Sequence, residues 1–287
     1  MGVCFIAPSG IVTDLAMPFN HHPCLRCPID DLPLMLEDGS LRCAGKHAFD
    51  IARQGYVNLL GAQDKRSRNP GDDKAMVGAR HQFLQDGHYQ PIADSIGQLL
   101  VPAITDNSVI VDAGCGEGYY LQQLRATMLN AERLNLSFIG FDISKWAMQV
   151  AARRFPATWM VASNRKIPLA DESADVVLDM FGFPDFEEFA RVLKPGGLMV
   201  QVRSGDNHLR ELREVIYPQL ISKPRPQLVP AQFEVGRTQT VSHRIAGLDA
   251  AGLRALLLMT PHFFRASAEG RARASALQSL DVSVDVT

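Results

Sequence analysis

The sequence predicts an α/β fold built on a parallel sheet, with a small module of different composition in front of it. From residue 75 onward, apolar strand patterns alternate with helical patterns, as they do in βαβ units. One strand pattern, over 109–112, runs into the glycine-rich turn Gly114-Cys115-Gly116-Glu117-Gly118, which opens a helix. A later strand ends in Asp142, 24 residues beyond Gly118. A turn and an acid placed in this way predict a ligand site at the carboxyl edge of the sheet.

The individual elements follow from periodicity and from stop signals. Lys194-Pro195-Gly196-Gly197 ends one helix and opens the next strand, and four prolines make 218–230 a rigid connector. In chain order, the predicted elements are helices 74–86 and 91–101, strand 109–112, helix 119–130, strand 137–142, helix 145–154, strands 158–162 and 174–181, helix 185–193, strand 198–203, a strand or hairpin over 233–246, and a buried helix over 250–258.

Composition limits the kind of protein that the chain can be. Of its 287 residues, 46% are hydrophobic and 21% are charged, which is close to the globular average and excludes wholesale disorder. The sequence has no run that approaches the roughly 18 consecutive apolar residues of a membrane-spanning helix. The formal net charge is −2, so a nucleic-acid partner has to be held by a local basic patch.

Cysteine usage indicates a reducing compartment. The count of five is odd, and three of the cysteines lie close together beside His47, whereas a secreted disulfide scaffold usually spreads an even number along the chain. The N-terminal residues have neither the basic segment nor the long apolar segment of a signal peptide. We therefore expect a cytoplasmic protein with reduced thiols. Residues 1–22 are expected to form a loose extension, and Met17 is an alternative start.

Four potential metal ligands have the spacing of a zinc ribbon. Cys24 and Cys27 form a CxxC pair, and after fifteen intervening residues Cys43 and His47 form a second pair. Zinc prefers four tetrahedral sulfur and nitrogen donors, and a site with all four supplied by protein is structural. The alternatives are a redox-active CxxC pair or buried thiols, but Cys27-Pro28 lacks the strand-to-helix setting of a thioredoxin-like pair.

The glycine-rich turn alone leaves several cofactors open, because nicotinamide and flavin enzymes also use one. Here the spacing is G-x-G-x-G with Asp112 just before it, and Asp142 is placed to accept hydrogen bonds from both ribose hydroxyls of a nucleoside. This combination resembles the class I S-adenosylmethionine-dependent methyltransferases. The resemblance implies a Rossmann-like fold with a mixed seven-stranded sheet, and it places Ala162, at the end of the third strand, near adenine. A dinucleotide enzyme and a purely structural glycine turn remain the alternatives.

A closer resemblance covers about 23–261. It rests on the zinc-type spacing together with Arg53-Gln54-Gly55-Tyr56-Val57-Asn58-Leu59-Leu60, Lys65-Arg66-Ser67-Arg68-Asn69-Pro70-Gly71-Asp72 and Cys115-Gly116-Glu117-Gly118-Tyr119-Tyr120. These stretches resemble the RlmA family of bacterial 23S rRNA (guanine-N1)-methyltransferases. The resemblance implies methyl transfer to N1 of one guanine in a 23S rRNA hairpin, and homodimerisation at the family level. Residues 1–22, 178–184 and 280–284 depart from the family pattern.

The resemblance and the glycine turn together define the expected sites. The structural Zn²⁺ ligands are Cys24, Cys27, Cys43 and His47. The residues expected to bind S-adenosylmethionine are Tyr89, Asp112, Gly114, Gly116, Glu117, Gly118, Asp142, Ala162 and His208. Tyr89 can attract the sulfonium by a cation–π interaction. Asp179, at the carboxyl end of the fourth strand, is the candidate acceptor for the proton of guanine N1, and a solvated strand-end carboxylate is its alternative. Phe181 and Phe183 either stack on the target base or pack in the core.

A local basic patch indicates the partner. Residues 42–81 contain eight basic and four acidic residues, a net charge of +4, which suits phosphate contacts to a structured RNA. The expected organisation is an extension over 1–22, a zinc-binding module over 23–62 and a methyltransferase domain over 63–287. Two other functions stay open: a small-molecule methyltransferase whose zinc module is a lid or dimer element, and a zinc-dependent RNA-binding protein with a degenerate donor site.

Overall fold

The structure is a computed structural model that describes residues 19–61, 69–220 and 229–287. The strands are β1 (Met35–Glu37), β2 (Ser40–Arg42), β3 (Ala48–Asp50), β4 (Tyr56–Asn58), β5 (Val109–Ala113), β6 (Ser137–Asp142), β7 (Thr158–Val161), β8 (Ala174–Met180), β9 (Leu193–Val202), β10 (Val241–Asp249) and β11 (Ser279–Val286). The helices are α1 (Lys74–Gln85), α2 (Gln90–Leu100), α3 (Tyr119–Asn130), α4 (Lys145–Ala151), α5 (Phe186–Val192), α6 (Arg210–Ile216), α7 (Ala250–Leu258), α8 (His262–Arg265) and α9 (Ala268–Ser275).

The central sheet has six parallel strands in the order β4-β7-β6-β5-β8-β9. All five residues of β5 are buried, as expected for the middle strand of a sheet that is covered on both faces. The chain adds β6 and β7 on one side of β5 and then returns to place β8 and β9 on the other side. The strand order therefore reverses at β5, and ligands bind at the carboxyl ends of strands beside such a reversal.

The antiparallel part of the fold lies outside this sheet. The resemblance to class I methyltransferases implied a mixed seven-stranded sheet, but the described strands of this domain form a parallel sheet of six and a separate antiparallel pair, β10 and β11. Only the end of β11 reaches β9, where Arg203 and Thr287 exchange two backbone hydrogen bonds and Ser204 forms an isolated bridge with Val286. The contact is too short to count as a further strand pairing, so the α/β class is confirmed and the strand count is corrected.

The N-terminal module is joined to the central sheet. Strands β1, β2 and β3 form a small antiparallel sheet, and β4 then leaves it to pair in parallel with β7 at the edge of the large sheet. Leu25, Leu34 and Leu41 of the module are fully buried in one apolar cluster with Val111 of β5 and Met160 of β7. The predicted boundary at residue 62 therefore follows a strand that already belongs to the large sheet.

Helix α1 begins at Lys74, as predicted, because the side chain of Asp73 caps it by accepting from the backbone N–H groups of Ala75 and Met76 at 2.8 and 2.9 Å. The helix packs against α7, which brings one of its faces over the carboxyl edge of the sheet. No helix within 19–61, 69–220 or 229–287 has the length and apolar character needed to cross a membrane.

Candidate active site and metal centre

A cleft of about 380 Å³ opens at the carboxyl ends of β5, β6, β7 and β8. Its size is within the range of small-molecule sites. The predicted donor-binding residues that line it are Tyr89, Gly114, Gly116, Glu117, Asp142 and Ala162. The other three, Asp112, Gly118 and His208, are not among its lining residues. The loop after β8, which includes Phe181 and Phe183, forms another wall.

The glycine turn is shaped by its backbone. Gly114, Gly116 and Gly118 have φ angles of +76°, +55° and +80°, a region that side chains of other residues rarely adopt. A Cβ on Gly118 would also lie 2.9 Å from the ring of Trp159, so this glycine serves packing of the helix behind the cleft. Gly114 and Gly116 face the cleft and leave its floor open to a ligand.

Asp142 holds the turn in place. Its carboxylate accepts hydrogen bonds from the backbone N–H groups of Gly116 at 3.0 Å and Ser144 at 2.7 Å. Burial raises the pKa of this carboxyl, and the two N–H donors oppose that rise. Each carboxylate oxygen has a second lone pair, and Asp142 lines the cleft, so it can also accept from ligand hydroxyls.

Asp112 lies beneath the turn without a hydrogen-bond partner. Its side chain is fully buried, and neither carboxylate oxygen meets a donor within the described residues. Burial, followed by the nearby charges of Asp179 and Asp142, raises the pKa of the Asp112 carboxyl to about 8. At neutral pH this group is therefore mostly protonated.

Asp179 lies in β8, which β5 separates from β6 and Asp142, and is 1% exposed. The amide of Gln201 in β9 donates to its Oδ2 at 2.9 Å. Burial raises the pKa of Asp179, and the hydrogen bond from Gln201 opposes the rise. The alternative of a solvated carboxylate is wrong, because the side chain is enclosed.

Glu117 is held by a network that the sequence did not predict. Its buried carboxylate forms an ion pair with Arg154, whose Nε donates to Oε2 at 2.8 Å, and His81 Nδ1 lies 3.1 Å from the same oxygen. The other oxygen, Oε1, has no partner in the described part of the chain. Glu117 therefore offers one free oxygen at the cleft. Arg154 follows α4 and has no motif of its own that would have revealed it.

Tyr89 and Phe181 line the cleft, and His208 packs against both of them. His208 Nδ1 accepts from the backbone N–H of Asp285 at 3.3 Å, so Nε2 carries the proton and donates to the Tyr89 hydroxyl, also at 3.3 Å. Burial lowers the pKa of His208 to about 4, which keeps the ring neutral. The sequence placed His208 at the donor, but the structure places it against Tyr89 and stacked on Phe181. Its direct action is on the Tyr89 side chain.

The loop after β8 presents its two phenylalanines differently. Phe181 packs against Tyr89 and has a φ angle of +59°, a strained conformation for an aromatic residue that is often found at functional sites. Phe183 is 85% exposed at the cleft mouth, and Asn164 fixes its backbone by donating to its carbonyl at 2.8 Å. The core-packing alternative therefore holds for Phe181 and is wrong for Phe183.

The metal-ligand cluster differs from the predicted one by one residue. Cys27, Asp30, Cys43 and His47 place one ligand atom each within 4.8 Å of one another. His47 Nδ1 lies 3.5 Å from Cys27 Sγ, 3.4 Å from Cys43 Sγ and 3.0 Å from Asp30 Oδ2. Bonds of roughly 2.0–2.3 Å to a tetrahedral zinc ion imply ligand separations of about 3.2–3.8 Å. The donor set fits zinc, and the two distances from His47 to sulfur fall within this range.

Cys24 lies outside this cluster. Its Sγ is 2.9 Å from His22 Nδ1, and burial raises its pKa to about 11. The reason is the backbone: the carbonyl of Cys24 accepts from the N–H of Ala170, and Leu25 forms an antiparallel bridge with Leu169. This pairing fixes the backbone over 24–26 against 168–170, whereas Cys27 begins the turn that carries Asp30. Asp30 stands in that turn, and a sequence search for cysteine and histidine spacing does not include it.

Three neighbouring residues of the predicted basic patch, Lys65, Arg66 and Arg68, lie outside the described residues. Arg80 turns into the cleft instead of facing outward. Its Nη2 donates to Asp72 at 2.6 Å and to the carbonyl of Met259 at 3.1 Å.

Comparison with known proteins assigns the chain to a family. Residues 25–68 match the RlmA N-terminal zinc-ribbon family, and residues 110–197 match a methyltransferase domain family. YxjB of Bacillus subtilis (strain 168), a protein assigned as a 23S rRNA (guanine-N1)-methyltransferase, is 30% identical over 91% of this chain and 94% of its own. The chain belongs to the RlmA family.

Other relatives of this RlmA-family chain carry related names. The 23S rRNA (guanine(748)-N(1))-methyltransferase of Streptomyces fradiae is 35% identical, over 67% of each chain. A protein of Micromonospora griseorubida assigned as a 23S rRNA (guanine-N1)-methyltransferase is also 35% identical, over 66% of this chain and 68% of its own. A solved methyltransferase structure from Aquifex aeolicus has a TM-score of 0.39 and 17% identity, over 47% of this chain and 74% of the other.

Membership of the RlmA family confirms the predicted class I methyltransferase fold with its zinc module. The chain is an S-adenosylmethionine-dependent methyltransferase, and its zinc ribbon is a structural zinc site. The orphaned buried oxygens of Asp112 and Glu117 and the open floor at Gly114 and Gly116 fit a polar, charged donor.

Proposed function

We propose that this RlmA-family enzyme transfers a methyl group from S-adenosylmethionine to N1 of one guanine in a hairpin of 23S rRNA. The observation that carries the proposal is the junction of two units: the zinc module and the methyltransferase domain share one sheet through β4 and β7. A small-molecule enzyme has no need of a zinc module fixed beside its donor cleft. The names of the relatives from Streptomyces fradiae and Bacillus subtilis support the same substrate.

The donor side of the proposal assigns roles to the cleft. When bound, S-adenosylmethionine supplies an electrophilic methyl group on a sulfonium. Asp142 accepts from the ribose hydroxyls, Ala162 lies along adenine, and the backbone of Gly114 and Gly116 approaches the methionine part. Tyr89 presents its ring at the cleft, where it can stabilise the sulfonium charge. His208 is a positioning residue that fixes the Tyr89 hydroxyl.

The acceptor side needs a group that takes a proton, because guanine N1 is protonated at neutral pH. A base is most effective when its pKa approaches the working pH. Burial raises the pKa of Asp179 towards that range, and the residue lies at the carboxyl end of β8, beside the lining residues Met180 and Phe181. We assign the proton-acceptor role to Asp179, with Gln201 holding the carboxylate in position.

The exposed ring of Phe183 supplies the other acceptor-side element. A large aromatic side chain that is 85% exposed at a cleft mouth is a ready stacking surface for a base that has left its helix. The bond from Asn164 to the Phe183 backbone limits movement of the loop. In this proposal Phe183 stacks on the flipped guanine.

The RNA is docked by the zinc module and the basic segment over 61–74. Lys65, Arg66 and Arg68 are proposed to contact phosphates, which position a structured RNA without reading its sequence. Homodimerisation and a cytoplasmic location, where ribosomal RNA is found, complete the proposal.

The decisive experiment is primer extension on 23S rRNA. A methyl group on N1 blocks Watson–Crick pairing and stops the polymerase. RNA from a strain lacking the gene should lose one stop, the wild-type gene should restore it, and a gene carrying Asp142→Ala should fail to restore it. If the deletion strain keeps every stop and the purified enzyme adds none, the rRNA proposal is wrong and a small-molecule substrate takes its place. If the wild-type chain shows no saturable heat with S-adenosylmethionine, the degenerate RNA-binding alternative replaces it.

A further inference from the structure

The inner end of the cleft, together with the layer directly beneath the glycine turn, contains buried carboxylate, hydroxyl and guanidinium atoms that lack hydrogen-bond partners. In the part of the chain that the structure describes, these are both carboxylate oxygens of Asp112, Oε1 of Glu117, the hydroxyl of Tyr120 and Nε of Arg80. A buried polar group without a partner loses its hydrogen bonds to water and gains none in return, so such groups are rarely left unpaired together. A ligand with complementary groups would satisfy them.

Arg80 occupies a fixed position at this end. Its Nη2 is held by Asp72 and by the carbonyl of Met259, which leaves Nε turned inward. A Cβ placed on Gly116 would lie 3.6 Å from Cδ of Arg80 and 3.9 Å from its Nε. The guanidinium therefore lies directly over the glycine turn, at the point where the backbone is open to a ligand.

The charges of the cluster match one part of the methyl donor. The amino-acid end of S-adenosylmethionine is a zwitterion, with a carboxylate and an ammonium on one carbon. Arg80 and the Tyr120 hydroxyl are donors, and burial raises the pKa of Tyr120, so its hydroxyl keeps its proton. Among the described lining residues the other basic side chain is Arg165, which follows β7 and lies on the adenine side of Asp142.

We propose that Arg80 binds the α-carboxylate of the methyl donor through Nε, with the Tyr120 hydroxyl as a second donor. The free oxygens of Asp112 and Glu117 are left for the ammonium. This inference rests on the proposed function for its ligand. The proposal adds Arg80, a residue of α1 outside the glycine turn, to the donor site. Because Asp72 forms an ion pair with Arg80, the segment around Asp72 becomes part of that site as well.

The test compares two ligands that differ by one group. Decarboxylated S-adenosylmethionine keeps the sulfonium and the ammonium and lacks only the carboxylate. Calorimetry should show that the wild-type chain binds S-adenosylmethionine about 10- to 100-fold more tightly than the decarboxylated compound, as expected for a charge-assisted hydrogen bond in a buried site. In Arg80→Met this ratio should fall to within about threefold, while the affinity for the decarboxylated compound stays at the wild-type value.

Two further variants and a control sharpen the result. Tyr120→Phe removes one hydroxyl and should lower the ratio by about three- to tenfold. Arg80→Lys keeps a charge without Nε and should keep part of the ratio. Arg153→Met removes an exposed arginine that does not line the cleft and should keep the full ratio.

The inference is overturned if Arg80→Met retains the wild-type ratio, or if the variant binds both ligands more weakly by the same factor, which would indicate a purely structural role. Failure of the proposed function is a separate observation. If the wild-type chain shows no saturable binding of S-adenosylmethionine, both the proposed function and this inference fail. If rRNA stays unmethylated while the ratio of the two affinities still depends on Arg80, the inference stands and the rRNA substrate fails.

Discussion

Asp112 is expected to release a proton when the methyl donor binds. Burial and the charges of Asp179 and Asp142 raise the pKa of its carboxyl to about 8. At pH 7, one unit below that value, about nine in ten Asp112 carboxyls carry a proton in the free enzyme. The bound donor places two positive charges, on the sulfonium and the ammonium, near this carboxyl. Opposite charges favour the ionised form, so the pKa falls towards its usual range.

The expected magnitude is up to about 0.9 proton released per donor bound at pH 7, since nearly all of the protonated fraction is lost if the pKa falls below about 6. The assay is calorimetry of S-adenosylmethionine binding in buffers with different enthalpies of ionisation. The observed heat should change linearly with the buffer enthalpy, and the slope gives the number of protons. Asp112→Asn keeps the size of the side chain and removes the titrating group, so its slope should fall close to zero.

The same shift makes a prediction for stability. The folded-state pKa of Asp112 lies above the unfolded value of 3.8, so the folded chain binds a proton that the unfolded chain has already released. The stabilisation is therefore fully present below about pH 4 and is lost as the pH rises towards 8, at up to about 1.4 kcal/mol per pH unit. The free energy of unfolding of ligand-free Asp112→Asn should fall less steeply over this range than that of the wild-type chain.

Equal heats in all buffers for the wild-type chain would refute this reasoning. A slope that persists in Asp112→Asn would assign the proton to another carboxyl, with Asp142 the first to examine, because burial raises its pKa as well.

Four other predictions concern separate parts of the molecule. Asp142→Asn should weaken binding of S-adenosylmethionine in calorimetry by about 2–3 kcal/mol, because the carboxylate loses charge-assisted bonds to the ribose and to the turn; unchanged affinity would contradict the role. Asp179→Asn should keep donor affinity and slow single-turnover methylation by about 10²- to 10⁴-fold, and an unchanged rate would remove Asp179 as the base. Phe183→Ala should raise the KM for RNA by about 5- to 100-fold, with donor affinity intact, since a base–aromatic stack is worth roughly 1–3 kcal/mol; an unchanged KM would return Phe183 to a passive role. Elemental analysis should find that Cys43→Ser and Asp30→Ala lower the zinc content, whereas Cys24→Ser keeps about one ion per chain; zinc loss in Cys24→Ser would restore the ligand set predicted from sequence.

Sequence periodicity predicted the elements between 74 and 202 because each of them has its own local signal. Helix α1 begins at the predicted residue because Asp73 caps it, and β6 has the predicted bounds because it is a continuous apolar run that ends in an acid. Strand β11 was missed, since its alternating residues Ser279–Val286 gain meaning only from pairing with β10, some forty residues earlier in the chain.

Site residues that lie close together in the sequence could be predicted, whereas those brought together only by tertiary packing could not. The glycine turn and Asp142 share one short βαβ unit, so their meeting could be inferred from spacing. Arg80 meets Gly116 only because α1 packs across the cleft. Asp30 replaces Cys24 among the ligands because the backbone at Cys24 pairs with 168–170. These contacts have no counterpart in the sequence pattern.

The same backbone pairings connect the zinc module to the donor cleft. The N–H of Leu59 donates to the carbonyl of Val161 at 3.0 Å, directly after the β4–β7 pairing. The residue that follows β7 is Ala162, which lines the cleft and is proposed to lie along adenine. On the other face of the same region, Leu25 pairs with Leu169. Because zinc binding is folding free energy for a small metal module, part of that energy supports the strand edge on which adenine is proposed to lie. In the proposed function the zinc module therefore supports the adenine edge of the donor site as well as docking RNA, and this double role gives a physical reason for building it into the sheet instead of attaching it by a linker.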